Sequence, residues 1–164
     1  MFSVILSRYL AKLDAADSAD EISGVIEDFL LQFDIYMFSA ALLKNTRLEN
    51  DDVQWMSNTT QAHFEEYMSE NRIHDDYGIR RNATGNDFTP FFIGDEFVSE
   101  TPDILDNEID FYKYNASLGY RSGVAVPLKT KVEGLPAGFS LWSEMNKAQF
   151  ERLICVFRRI TWIS

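Results

Sequence analysis

Residues 117–142, SLGYRSGVAVPLKTKVEGLPAGFSLW, decide how this chain folds. Two runs of strand-forming residues, 123–128 and 137–142, flank a polar connection that contains Gly134 and Pro136, a pattern that predicts an antiparallel hairpin. Alternation along a strand places Val124, Val126 and Leu128 on one face of the first run, and Phe139 and Leu141 on one face of the second. The opposite faces carry small residues, Gly123 and Ala125 on one strand and Gly138 and Ser140 on the other. One of the possible registers brings these together and leaves a bare patch that either a packed helix or a ligand must fill. Pro127 has no amide hydrogen to donate, which predicts a sheet edge or the end of a ladder near it.

Outward from the hairpin, the chain alternates between helical and strand-like patterns. Residues 3–14 place Val4, Ile5, Leu6, Tyr9, Leu10 and Leu13 on one helical stripe, with Arg8 and Lys12 outside it. Ser18 and Glu21 form a capping-box pattern ahead of a second helix, whose stripe runs Ile22, Val25, Ile26, Phe29, Leu30 and Phe33. Residues 35–43 and 53–56 read as two antiparallel strands joined by a polar turn. From Thr60 the period becomes helical, with Phe64, Tyr67 and Met68 on one side, and a short helical piece after Tyr77 is predicted to end at Gly85. Residues 88–98 are apolar but interrupted by Pro90 and Gly94, which predicts a covering loop. Thr101 and Pro102 are expected to start a helix that runs through Tyr114. After the hairpin, Asn146 with Gln149 caps a last helix whose stripe is Phe150, Leu153, Ile154, Phe157 and Ile160. Helices on both sides of an antiparallel sheet make the predicted class α+β, an α-β-α sandwich with a central antiparallel sheet, in one domain over residues 1–164.

Composition narrows the function. The formal net charge is −11, and the few basic residues are scattered, which argues against a nucleic-acid surface on this chain. No segment has the uninterrupted apolar length of a membrane span, and the start of the chain lacks the pattern of a signal peptide. A single cysteine, Cys155, excludes an internal disulfide and fits a reducing cytoplasm, so the sequons at Asn58, Asn82 and Asn115 read as chance matches. His63, His74, Asp75 and Asp76 are the one histidine-carboxylate cluster, and their spacing is not that of a zinc site. No nucleophile motif, phosphate-cradling glycine loop or carboxylate pair marks catalytic residues, and no cofactor is implied. Taken singly, Asp76 reads as a capping or solvated carboxylate, Tyr67 as a core aromatic with its hydroxyl at the rim, and Ser140 as a small strand residue.

Together, LGYRSGVAVPLKT, GLPAGFSLW and the upstream HFEEYMSENRIHDDYG resemble the N-terminal autoinducer-binding domain of LuxR-type quorum-sensing regulators. The resemblance covers about residues 3–162 and is most specific in the hairpin. It implies a sandwich that encloses an acyl-homoserine lactone, or a related acylated amide, between the sheet and one helical layer. Carried over by position, it implies that Asp76 accepts a hydrogen bond from the ligand amide, that Tyr67 donates to the acyl carbonyl, and that Ser140 reaches the same carbonyl. Gly123 matches the glycine that begins the first hairpin strand.

Three positions depart from the family pattern: His63 stands where the family has a Trp that donates to the lactone carbonyl, Ile93 where it has a second Trp, and Tyr77 where it usually has Pro. The departures bear on the head group rather than on the tail or the amide. The resemblance further implies a cytoplasmic regulator that forms a homodimer and binds DNA through a C-terminal helix-turn-helix domain, which this chain lacks; its linker would begin at residues 160–164. Two other readings stay open. One is a ligand-independent interaction domain, whose cavity would be filled by Phe88, Phe91 and Phe92; the other is an enzyme acting on an acyl amide through His63.

Overall fold

The computed structural model describes residues 2–43, 53–70, 72–84, 87–129 and 135–161. Gly85, the part of the hairpin connection that holds Gly134, and the chain end from 162 lie outside the described residues, as do the side chains of Phe157 and Ile160. In chain order the elements are α1 (Phe2–Asp14), α2 (Ala19–Leu30), β1 (Met37–Leu43), β2 (Val53–Ser57), α3 (Gln61–Ser69), α4 (Tyr77–Thr84), β3 (Phe91–Ile93), α5 (Asp106–Ser117), β4 (Ser122–Leu128), β5 (Ala137–Ser143) and α6 (Lys147–Thr161). Short 3₁₀ turns at Leu31–Phe33, Arg72–Asp75 and Asp95–Glu100 link them. The five described strands form one sheet in the order β2-β1-β5-β4-β3, with every neighbouring pair antiparallel.

The central hairpin takes the register that brings its small residues together: Ala125 lies opposite Ser140, and Pro127 opposite Gly138. Trp142, opposite Gly123, closes the patch at one end. A side chain at Gly123 would meet the Leu141 carbonyl oxygen at 2.6 Å and the Trp142 ring at 3.1 Å, so only glycine lets that ring lie flat against the strand. β3 pairs only with residues from Gly123 to Ala125, and the ladder on that side has therefore ended before Pro127.

Each face of the sheet carries its own helical layer. On one face Phe38, Phe139, Leu141, Val124 and Phe92 pack under α2, α6 and the turn that contains Phe97. Phe38 stacks on Phe139 at 5.8 Å, and Phe92 on Phe97 at 4.6 Å. α1 sits outside α2, where Tyr9 meets Phe29 edge-on at 5.1 Å. On the other face Met37, Ala41, Ala125, Phe91, Ile93 and Trp142 lie under α3, α4 and α5. A fully buried Glu108 holds α5 to α4: it accepts from Arg80, with Nη2 to Oε2 at 2.9 Å, and from the Leu105 backbone amide at 2.8 Å.

Caps explain most helix starts. Ser18 Oγ accepts from the Glu21 amide at 3.2 Å, Thr60 Oγ1 from the His63 amide at 3.3 Å, and Asn146 and Gln149 bond reciprocally at 3.1 Å. Three expectations are corrected. The broken run after Phe88 is not only a covering loop, because Phe91–Ile93 adds an edge strand before Gly94, at φ 104°, turns the chain away. Thr101 and Pro102 do not start α5: the Thr101 hydroxyl donates back to the Phe97 carbonyl at 2.9 Å, Asp103 takes φ 54°, and the helix begins at Asp106. The α1 stripe is only partly covered, with Tyr9 buried but Val4 72% and Leu10 54% exposed at its margins.

Candidate functional site

Helix side chains cover the bare patch of the hairpin only in part, with Asn82 of α4 over Gly138. Two adjoining compartments, both partly open to solvent, lie between the patch and the α3–α4–α5 layer, with cavity volumes of about 60 and 30 Å³. They share Ser39, Trp55, Asp76 and Trp142, so Asp76 stands at their junction. The first compartment, toward α3 and the end of α5, has an aromatic wall: Trp55 lies edge-on to Tyr67 at 5.5 Å, and Tyr67 edge-on to Phe111 at 5.9 Å. The second runs under α4 along Ala41, Ile79, Ile93, Ala125 and Gly138, with Asp76, Asn82, Ser39 and Ser140 adding polar groups to its wall. Its depth is set where α4 meets β5. The Asn82 amide nitrogen lies only 2.2 Å from where a side chain on Gly138 would begin, so α4 sits this close because that carbon is missing.

Asp76 immediately precedes α4, and its Oδ1 accepts from the Gly78 and Ile79 amides at 2.8 and 3.3 Å, an N-cap at the positive end of the helix. Desolvation nevertheless dominates its electrostatics and pushes its carboxyl up to about 6; the Ile79 and Gly78 amides oppose the shift, while the Glu108 charge adds to it. The Tyr67 hydroxyl is buried outside good hydrogen-bond geometry, yet it lies near enough to Asp76 for the two to interact through charge and hydrogen bonding. Burial first, and Asp76 next, hold that phenol well above its usual range, so it stays protonated and able to donate.

His63 lines the outer part of the first compartment, half-buried, with its ring 6.4 Å from Tyr114 and 5.4 Å from Tyr120. Burial lowers its pKa against a smaller opposing pull from Glu66, which leaves the imidazole neutral near pH 7. Ser140 lines the second compartment, and its hydroxyl is 2.7 Å from that of Ser39 on the neighbouring strand. Ile93, fully inside, lines the same compartment.

All five sequence-predicted residues therefore border one or other of two adjoining compartments. His63 and Tyr67 lie in the first compartment, Ile93 and Ser140 in the second, and Asp76 in both. The three departures do not share one end: His63 and Ile93 face different compartments, and Tyr77 lines neither, packing edge-on against Phe91 at 5.8 Å. Phe88, Phe91 and Phe92 line neither compartment, so they do not fill the cavity. Among the described residues no group of three or more His, Cys, Asp or Glu side chains could hold a metal ion, and no helix is long and apolar enough to cross a membrane.

Sequence reasoning missed Trp55, Thr59 and Asn115. Trp55 Nε1, Thr59 Oγ1 and Asn115 Oδ1 are all buried without a partner, and all three residues line the first compartment beside Tyr67 and His63. Asn115 did leave a signal. Glu108, Phe111, Tyr112 and Asn115 are the buried residues of α5 at helical spacing, so a polar side chain sits on the stripe that faces the sheet. Unpaired polar groups of this kind are uncommon in folded interiors, and their convergence on one cavity is the mark of a site that takes a partly polar molecule.

An α-β-α sandwich with such a pocket under one helical layer has the form of a small-molecule-binding domain. Within that class the chain belongs to the autoinducer-binding domain family, which it matches over residues 18–164. These are the sensor domains of LuxR-type quorum-sensing transcription regulators, a family without enzymatic activity. Solved structures agree in fold. The N-acylhomoserine lactone-dependent LuxR family transcription factor CepR2 from Burkholderia cenocepacia superposes with a TM-score of 0.70 at 18% identity, over 93% of this chain and 86% of that one. Escherichia coli SdiA gives 0.66 at 15% identity over 93% of this chain and 64% of that one. SdiA in complex with octanoyl-rac-glycerol gives 0.63 at 15% identity, over 93% and 62%. No curated protein sequence matches the chain.

Proposed function

We propose that the chain binds an acyl-homoserine lactone or a related acylated amide in this cavity, and that occupancy controls DNA binding by a separate C-terminal domain of a cytoplasmic, homodimeric regulator. The ligand amide donates to Asp76, and the Tyr67 hydroxyl donates to the acyl carbonyl, with Ser140 reaching the same region. The acyl tail runs along Ile93 and Ala125, and the head group lies toward His63. Each buried methylene contributes about 0.8 kcal/mol and a hydrogen bond to the carboxylate about 1.5–3, so the tail supplies most of the affinity and the polar groups the orientation.

One observation carries this reading: the buried Tyr67 hydroxyl and the Asp76 carboxylate, a donor and an acceptor suited to the two ends of one amide, both line the first compartment, and Asp76 borders the second as well. CepR2, described as N-acylhomoserine lactone-dependent, and SdiA, solved with an acylglycerol, share the fold. The test pairs mass spectrometry of small molecules extracted from the purified chain with thermal melts against acyl-homoserine lactones from butanoyl to dodecanoyl. A co-purifying acylated amphiphile, or a melting temperature that rises with one range of chain lengths, is expected. Neither signal with any chain length sinks the reading.

A further inference from the structure

The acylated-amide reading uses Asp76 and Tyr67 but leaves the rest of the first compartment unexplained. Asn115 is 4% exposed, and its own backbone carbonyl accepts from the Leu118 and Tyr120 amides at 3.0 and 2.9 Å, which fixes it in the last turn of α5. Its Oδ1 faces no donor, although it is buried and its residue lines the cavity. Thr59 Oγ1 and His63 Nδ1, from the neighbouring wall, are equally buried and unpartnered. An amide oxygen can only accept, whereas a hydroxyl can do both, and a neutral imidazole nitrogen does one or the other.

A lactone ring beyond the amide presents acceptors alone. It could satisfy Thr59 or His63 acting as donors, but with Asn115 Oδ1 placed as it is here it would set one acceptor facing another, and Asn115 would have to turn its amide over to donate through Nδ2. A head group carrying hydroxyls meets the whole set, donating to Asn115 while accepting from Thr59. We propose that Asn115 is a specificity-determining residue that selects acylated amides with a hydroxyl-bearing head group over the lactone of the same chain length. This rests on the acylated-amide reading and names the ligand class within it.

The probes are N-acylserinols and N-acyl-homoserine lactones with matched chains from hexanoyl to dodecanoyl, titrated calorimetrically into the full 164-residue chain. Both series keep the amide that Asp76 takes, so only the head group differs. The serinol series is expected to bind about tenfold tighter or more, since a buried acceptor left unpaired forfeits affinity on that scale. Asn115→Leu, close in shape but without the acceptor, is expected to bring the ratio within about threefold of unity, and Asn115→Asp, which keeps the acceptor, to preserve the preference. Equal or tighter binding of the lactones by the unaltered chain overturns this inference alone, as does a serinol preference that persists in Asn115→Leu. Should Asn115→Leu fail to fold, the ratio in the unaltered chain together with Asn115→Asp still decides. If neither series binds, the acylated-amide reading fails and this inference with it.

Discussion

The two faces of the sheet are built to opposite specifications from the same five strands. Under α2 and α6, ring meets ring: Phe38 stacks on Phe139, Phe92 on Phe97, and Phe150 closes the cluster. Under α3, α4 and α5 the strands offer Gly138, Ala125, Ser39 and Ser140, and the helices answer with polar groups that have no partner. Alternation in β4 and β5 produces both faces at once, since every second residue of a strand points the other way. The difference teaches that one face holds the fold while the other holds a space, and the two can be perturbed separately.

The packed face should give the largest response. Phe38 is fully buried, and Phe38→Ala leaves a cavity that nearby rings cannot collapse into, so it is expected to destabilise the chain by about 3–5 kcal/mol in urea unfolding. A loss below about 1 kcal/mol would show that the two faces are less distinct than their packing implies.

An intermediate response is expected from pH acting on the open face. The folded Asp76 carboxyl titrates at about 6 against an ordinary 3.8, so between those values the fold keeps a proton that the unfolded chain has released. The stability it contributes is complete below about pH 4 and is lost as pH rises through about 6, by on the order of 3 kcal/mol. Asp76→Asn should flatten this part of the stability profile of the unliganded chain. Tyr67, Tyr112 and Glu108 also interact with Asp76, but the two phenols stay protonated throughout the window. A ligand amide that donates to the carboxylate favours its ionised form, so affinity should run the other way and strengthen from about pH 5 to 7. Stability and affinity that move in parallel with pH would contradict the assignment of Asp76 to the amide.

The smallest effect is expected at Ser140. Ser140→Ala removes the partner of the Ser39 hydroxyl and costs about 1 kcal/mol in the urea midpoint, with a loss of a fewfold in ligand affinity measured by calorimetry. A fall in stability as large as that of Phe38→Ala would mean that the open face also holds the fold.

Much of this architecture was legible because it depends on local patterns. The hairpin faces follow from alternation, and the starts of α2, α3 and α6 from side chains that can reach a backbone amide within one turn. Phe91–Ile93 was hidden because a three-residue strand between Pro90 and Gly94 takes its identity from β4, a partner thirty residues away in sequence. The start of α5 depends on Asp103 adopting a positive φ, and on Thr101 bonding backwards rather than forwards. Of the site, the Tyr67 to Asp76 spacing came from a family resemblance, since neither residue is distinctive alone. Asn115 could be read as a polar residue on the buried stripe of α5, but Trp55 joined the site only through the β1–β2 register that sets it beside Ala41. Long-range placement of this kind leaves little trace in a single sequence.

The contact between Asn82 and Gly138 bears on how such a pocket can diversify. Adding one methyl group at Gly138 would press directly on Asn82, forcing α4 outward or the side chain aside and changing the space the second compartment offers. Glycine and alanine codons differ by a single nucleotide. The shape of that compartment is thus within one mutational step of revision at a strand pair that the aromatic layer on the far side holds independently. A lineage could retune which signal it hears without first rebuilding the fold that hears it.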